Sequence, residues 1–309
     1  MNFKSYFICV LAFIAFMPIQ ILSQDWDDDD FYVSRRKGLE YGINLGVYRA
    51  HPESSVFYNG AGWYELGDNL ASLYTIEDRL FLGNTEDQIN NILNLGGGNF
   101  WVPYDSSPLQ MPYDPGLMMG LKLLYFWNPE SALVLSVDAV NLNAAGPWTL
   151  ETDLLPGTGQ GSNDIKVYGI FGKERRMLGT FGYRTAAYII EEASWIFELG
   201  GTATAVQIKD NFIMVENNTY DLITFYNGAG QYSGAGTNLT SVGFGYYAVV
   251  GLEAMFEEGG NLEANFRVSR DNIRLGKGDG AYQKTLWNFA VYVTWIIPPH
   301  VGDFVRASF

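Results

Sequence analysis

The chain has 309 residues, a formal net charge of −15 and only 17% charged residues, with 20 Tyr, 20 Phe and 8 Trp set among 35 Gly. So acidic a chain lacks the clustered Lys and Arg that nucleic-acid binding requires, which excludes that class of partner. Mean hydropathy near zero and the lack of an 18-residue apolar run beyond the N-terminal leader exclude a helical span, so a membrane-crossing chain of this kind has to be a closed barrel.

Residues 1–23 read as a signal peptide. Lys4 supplies a positive start, Tyr6–Phe16 an apolar run and Pro18–Ser23 a polar, cleavable end. Removing Lys4 with this leader takes the net charge from −15 to −16. Cys9, the one cysteine, leaves with it, so the mature chain has neither disulfide nor thiol chemistry and suits a Gram-negative envelope. Residues 24–38 form a solvated acidic tail, Asp25–Asp30, followed by Arg35, Arg36 and Lys37.

Residues 39–297 carry period-2 alternation, the signature of strands with one apolar face. The first is Leu39–Tyr48, where Leu39, Tyr41, Ile43, Leu45 and Val47 oppose Glu40, Gly42, Asn44 and Gly46. Residues 50–115 break the pattern and predict a partly helical insertion. Asp68 is a candidate cap for a helix through Leu80. Thr85-Glu86-Asp87-Gln88 has capping-box spacing before Ile89, Ile92 and Leu93, and Gly96-Gly97-Gly98 stops that stripe. Such a length is too great for an ordinary loop, so it has to cap the barrel mouth or plug its lumen.

Strands then follow at Gly116–Trp127, Ser131–Asn141, Asp164–Gly172, Met177–Ile190, Trp195–Ile208, Asn211–Tyr226 (one irregular strand or a hairpin), Ser241–Phe256, Asn261–Ile273 and Leu286–Ile297. The last sets Trp287, Phe289, Val291, Val293, Trp295 and Ile297 against Asn288, Ala290, Tyr292 and Thr294, over about the 9–11 residues that a tilted strand needs to cross a bilayer. The count predicts an all-β, antiparallel transmembrane barrel of about ten strands. Short turns are expected around 129, 174, 210 and 259 on one side. Longer connections at 50–115, 142–163, 227–240 and 274–281 fall on the other, with 191–193 the one short exception there. Residues 298–309 read as a C-terminal tail. A soluble β-sandwich is the alternative that the strand pattern leaves open.

In a barrel the mixed faces point inward, which collects Glu40, Asn44, Lys122, Asp138, Arg184, Glu198, Glu253, Glu263 and Arg267 in the lumen. Both signs are present. A closed network of ion pairs in a narrow barrel is one reading, and a charged constriction in a water-filled pore is the other. An internal repeat is the sharpest local signal. Phe57, Tyr58, Asn59, Gly60 and Tyr64 recur as Phe225, Tyr226, Asn227, Gly228 and Tyr232, within FYNGAGWY and FYNGAGQY. Asn-Gly supports a turn with positive φ, so the pair reads either as two similar rim turns or as a contact surface for a partner or glycan.

Nothing points to an enzyme, a metal or a cofactor. His51 and His300 are the only histidines, far apart in sequence, with no nucleophile-base spacing around them. The leader, the Gly-rich first strand, the Asn-Gly motif and the run Met111-Pro112-Tyr113-Asp114-Pro115-Gly116-Leu117-Met118-Met119-Gly120 resemble uncharacterised outer-membrane β-barrel proteins of Bacteroidota. That resemblance implies a non-enzymatic scaffold or accessory of protein export or outer-membrane assembly, with outer-membrane lipid and envelope proteins as partners. A small-solute porin is the alternative.

Overall fold

The computed structural model describes residues 38–62, 64–66, 71–95, 98–109, 111–153, 164–190, 192–225, 240–256, 260–276 and 282–297. The expected leader, the acidic tail before Gly38 and the tail at 298–309 lie outside these. The strands are β1 Gly38–Arg49, β2 Tyr64–Leu66, β3 Ala71–Leu73, β4 Phe100–Trp101, β5 Gly116–Asn128, β6 Ser131–Thr152, β7 Asp164–Ile190, β8 Ala193–Val215, β9 Asn218–Asp221, β10 Ile223–Phe225, β11 Thr240–Phe256, β12 Gly260–Leu275 and β13 Tyr282–Ile296.

The chain is an antiparallel β-barrel. Strands β1, β5, β6, β7, β8, β11, β12 and β13 pair in that order, and β13 returns to β1 with Leu45 opposite Val293. Short β4 and β9 extend the ends of β6 and β8, which makes one sheet of ten strands. The expected count of about ten therefore holds, with eight strands forming the ring itself. Polarity runs inside out relative to a water-soluble fold. Leu121 (65%), Phe181 (60%) and Val291 (61%) point outward and exposed, whereas Asn44, Lys122 and Glu263 point inward and buried. One sheet closed on a polar interior leaves no place for the two facing apolar layers of a sandwich.

The expected turn at Lys173–Arg176 is continuous strand. Glu174 sits opposite Leu142 and Ile208, and Arg176 opposite Val140 and Val206, well inside the ladders. The alternation never breaks there: Gly172, Glu174, Arg176 and Leu178 face in, while Lys173 and Arg175 face out. Four consecutive polar residues look like a turn only if inward charge is discounted. The expected turn at Lys209-Asp210 is a β-bulge, because Lys173 pairs with Asp210 but Glu174 with Ile208, leaving Lys209 as the extra residue.

The expected connection at 142–163 is also shorter, since β6 runs on to Thr152 with Leu142, Ala144, Trp148 and Leu150 buried. Pro147 is tolerated because the side of β6 away from β7 has lost its β5 partner beyond Val140, so no ladder bond is forfeited. The segment 211–226 resolves into the hairpin reading. β8 turns at Glu216, which adopts φ +50°, and β9 pairs back with Val215 opposite Asn218 before β10 joins β3.

With these corrections the tight connections at 129–130, 191–192 and 257–259 share one end with the start of β1 and the finish of β13. The short 191–193 turn belongs with them. Strand lengths are uneven: β6, β7 and β8 have 22, 27 and 23 residues, against 12 for β1 and 13 for β5. A bilayer needs about ten, so β7 alone rises on the order of 50 Å of strand beyond it.

The insertion after β1 covers the inner side of this wall. Its 3₁₀ helix, Pro52–Tyr58, enters the mouth. A helix at Ile76–Leu80 is capped by Thr75, whose hydroxyl accepts from the Asp78 N–H at 3.0 Å, so the expected start at Asp68 is wrong: Ala71–Leu73 is strand. The expected helix at Thr85–Ile92 is present, but Asn84 precedes it without a side-chain cap, so no capping box forms. It stops at Asn94, φ +53°, before the glycines. Ile76, Leu80 and Ile89 pack into one buried cluster with Trp148, Leu150, Ile170 and Ile213 of the wall.

Arg175→Pro separates strand from turn at 173–176. A turn would tolerate it, whereas in a strand paired on both sides it removes a ladder bond and should lower the unfolding midpoint sharply, as measured by denaturant titration of the refolded protein. An unchanged midpoint would restore the turn.

Candidate functional site

The inward parity of eight short-period strands delivers charged side chains to a lumen that such a barrel can fill with side chains alone. In the lower layer, Lys122 of β5 reaches across to Glu198 of β8 and to Glu263 of β12, the second at 2.9 Å. Arg184 of β7 bridges Glu263 and Glu253, the latter at 2.8 Å, and lies 5.6 Å from the Phe126 ring centre. Glu253 also accepts from Ser194 at 3.2 Å and Asn261 at 3.0 Å. In the middle, Asp138 accepts from Arg267 at 2.9 Å and Asn44 at 2.8 Å. Thr294 donates to Asn44 at 2.8 Å and accepts from Asn265 at 3.0 Å, tying the two layers.

Eight of the nine expected luminal residues are thus buried, at 3% exposure or less, and brought into contact; Glu40, on the same parity, is half-buried nearer the tight turns. An upper layer was missed. Arg176 donates to Glu174 at 2.6 Å, to Ser54 at 2.9 Å and to Tyr48 at 3.3 Å. Asp271 accepts from Asn288 at 2.9 Å, from Ser269 at 2.5 Å and from Thr202. Glu174 and Arg176 were hidden by the turn assignment. Asp271 continues the inward parity of Glu263, Asn265, Arg267 and Ser269, which was the available signal.

The first copy of the repeat belongs to this layer. Phe57 and Tyr58 are buried, their rings 5.0 Å apart edge to face, and Tyr58 donates to Glu174 at 2.8 Å. Burial, and then the Glu174 charge, push the Tyr58 hydroxyl well above the usual tyrosine range. Asn59 accepts from the Ala61 N–H at 3.0 Å, and Gly60 adopts φ +73° where a Cβ would strike Ile76. Phe57, Tyr58, Asn59 and Gly60 thus pack inside their own chain rather than forming an exposed contact surface. Tyr64 lies in β2 and Phe225 in β10, on opposite sides of β3. Tyr226, Asn227, Gly228 and Tyr232 lie outside the described residues.

The mouth is strapped as well. The Tyr282 hydroxyl donates to the Glu53 carbonyl at 2.7 Å, and Lys284 pairs with the exposed Glu53 carboxylate. That hydrogen bond and charge hold the Glu53 carboxyl below the usual range. His51 serves locally, its Nδ1 accepting from the Glu53 N–H at 3.2 Å; His300 lies outside the described residues. Among the described residues no group of three His, Cys, Asp or Glu is placed to hold a metal ion.

No protein-family model matches the chain, and no curated protein does. Among solved structures it is similar to the attachment invasion locus protein Ail of Yersinia pestis, with 10% identity over 84% of this chain and 99% of that one and a TM-score of 0.33. It is similar to the outer membrane protein OprG from Pseudomonas aeruginosa, with 10% identity, coverage of 87% and 99%, and a TM-score of 0.38. The Pseudomonas putida toluene transporter TodX gives 8% identity, coverage of 84% and 89%, and a TM-score of 0.21. The transmembrane barrel architecture follows from this chain's own ring closure and exposed apolar belt, and these likenesses add no ligand or activity to it.

Lys122→Met strands the buried Glu198 carboxylate and leaves Glu263 with Arg184 as its one cation. It should lower the unfolding free energy by about 3–5 kcal/mol in refolding titrations, with Glu198→Gln restoring part of it. An unchanged stability would mean that the lumen is solvated. For the strap the sign follows from a lowered carboxyl: its contribution is present above the ordinary carboxylate pKa and fades as pH falls through the folded value. Both side chains are more than 40% exposed, so solvent screens the pair to well under about 1 kcal/mol. Acidification should therefore lower the amide protection factors at 53–58, taken relative to intrinsic exchange at each pH, with little loss of global stability, and Lys284→Gln should abolish that pH dependence.

Proposed function

We propose that this is an exported outer-membrane barrel that serves as a non-conducting scaffold, holding its tall wall and insertion above the membrane for envelope partners. The observation that supports it best is the wall-to-wall bridging of Lys122 and Arg184 to Glu198, Glu253 and Glu263, all buried in the lumen. A conducting pore needs a continuous water path, and paired charges meeting at the barrel axis oppose one. The N-terminal leader and the girdle Trp127, Trp195, Trp287 and Trp295, each about 40% exposed on the outer face, support export to and residence in a bilayer. The resemblance to Bacteroidota barrels extends this reading to an accessory of protein export or outer-membrane assembly, acting without catalysis or cofactor. The porin alternative would need the upper plug to leave and the lower layer to part.

Purified protein in planar bilayers should give no stable unitary conductance, and neither should a variant lacking residues 52–58, because the lower layer stays closed. Discrete conductance steps in the intact protein would favour the porin reading instead. Recovery in the outer-membrane fraction with heat-modifiable gel migration checks the location.

A further inference from the structure

The outward face of β6, β7 and β8 changes character in horizontal rows that the register defines. Ala139, Met177 and Ala205 form the last apolar row of the belt, counted away from the tight turns. The next row is Asn141, Arg175 and Gln207; the one above is Asn143, Lys173 and Asp210, with the bulge residue Lys209 beside it. Apolar residues then resume with Ala145, Phe171 and Phe212. Between the apolar belt and Phe171, two successive rows are thus entirely polar; on the same outward parity Thr185 lies near the tight turns and Thr149 and Glu151 lie higher on β6. Rows lie roughly 6.6 Å apart along a strand, so on tilted strands this band is about as thick as one headgroup layer.

The band is cationic on a chain of net charge −15. Lys173 is half exposed, 3.7 Å from Asp210 and 5.3 Å from the Phe212 ring centre. Arg175 and Lys209 are exposed. Neither has an ion-pair partner among the described residues, although acidic side chains outnumber basic ones in the chain. Three cations against Asp210 leave a local excess of positive charge, flanked by the amides of Asn141 and Asn143. At the opposite rim, the charged groups outside the lumen among the described residues are the acids Glu130 and Glu192.

The bulge itself contributes. Adding Lys209 without a partner position lets β8 present a cation beside Lys173 rather than one residue-pair away. An Arg fork, two ammonium groups and two amides in a plane facing lipid match a phosphate-bearing headgroup, whose acyl chains would lie along the apolar rows below.

We propose that Asn141, Asn143, Lys173, Arg175 and Lys209 form a clamp for the phosphate headgroup of an anionic lipid in the leaflet on the long-loop side. The clamp rests on the membrane reading above. Charge complementarity at headgroup height, on a face already committed to lipid, selects a lipid phosphate over a soluble one.

The test uses the full chain refolded into vesicles of equal phosphatidylglycerol and phosphatidylcholine, with retained lipids counted by native mass spectrometry. Heat-modifiable migration is read first; a protein that does not insert overturns the membrane reading and the clamp with it. Inserted protein should retain phosphatidylglycerol in excess of the bulk ratio, by about fivefold per engaged cation. Arg175→Gln with Lys209→Gln should return retention to the bulk ratio without altering migration, while Arg175→Lys with Lys209→Arg should keep the excess. Inserted protein showing no excess, or the same excess in the Gln variant, overturns the clamp alone. Loss of the excess on adding inorganic phosphate, at an ionic strength matched with chloride, would assign the site to a free anion and overturn the headgroup.

Discussion

Closing a ring of eight strands removes every sheet edge within the bilayer, and it also creates a narrow interior that has to be filled by whatever the inward parity supplies. Here the supply is charged. Charges taken from water cost several kcal/mol each unless they meet partners of good geometry, so the lumen tolerates Lys122 and Arg184 only because Glu198, Glu253 and Glu263 converge on them from other strands. The register between strands is then a matter of electrostatics as much as of backbone bonding. A slip of one residue would turn these groups toward lipid and the leucines inward.

The layers differ in how they are satisfied. Below, cations bridge pairs of acids across the axis. Above, Asp271 is held by hydroxyl and amide donors, and Arg176 reaches the insertion through Ser54. The plug is therefore joined to the barrel by polar bonds, and its apolar face is left to pack on Ile170 and its neighbours in the wall. Gly172 makes the junction feasible, since a Cβ there would occupy the space of the Tyr58 ring. The wall, the plug and the lumen are consequently one packed unit rather than a barrel with a loose lid.

Much of this was legible in the chain. Alternation located the transmembrane strands, because lipid imposes a strict apolar parity on residues such as Leu117, Met119 and Leu121. Above the membrane that pressure lapses, and there the reading failed. Lys173–Arg176 looked like a turn, Gly146-Pro147 like a loop, and Lys209-Asp210 like a hairpin tip, although each lies within a strand. Which acid meets which base was also out of reach, because it depends on geometry across the lumen between residues as distant in sequence as Lys122 and Glu263. The repeat was visible, but not that Phe57 and Tyr58 of its first copy are buried in the core.

The unequal strand heights have one more effect. A regular barrel looks the same from every side in the plane of the membrane. With β6, β7 and β8 standing tall and β1, β5, β11, β12 and β13 ending low, this one has a front and a back. Anything approaching within the plane meets either a standing sheet or a low rim. Neighbours that recognise the difference would be placed at a fixed compass bearing around the barrel, an orientation that a symmetric cylinder cannot impose.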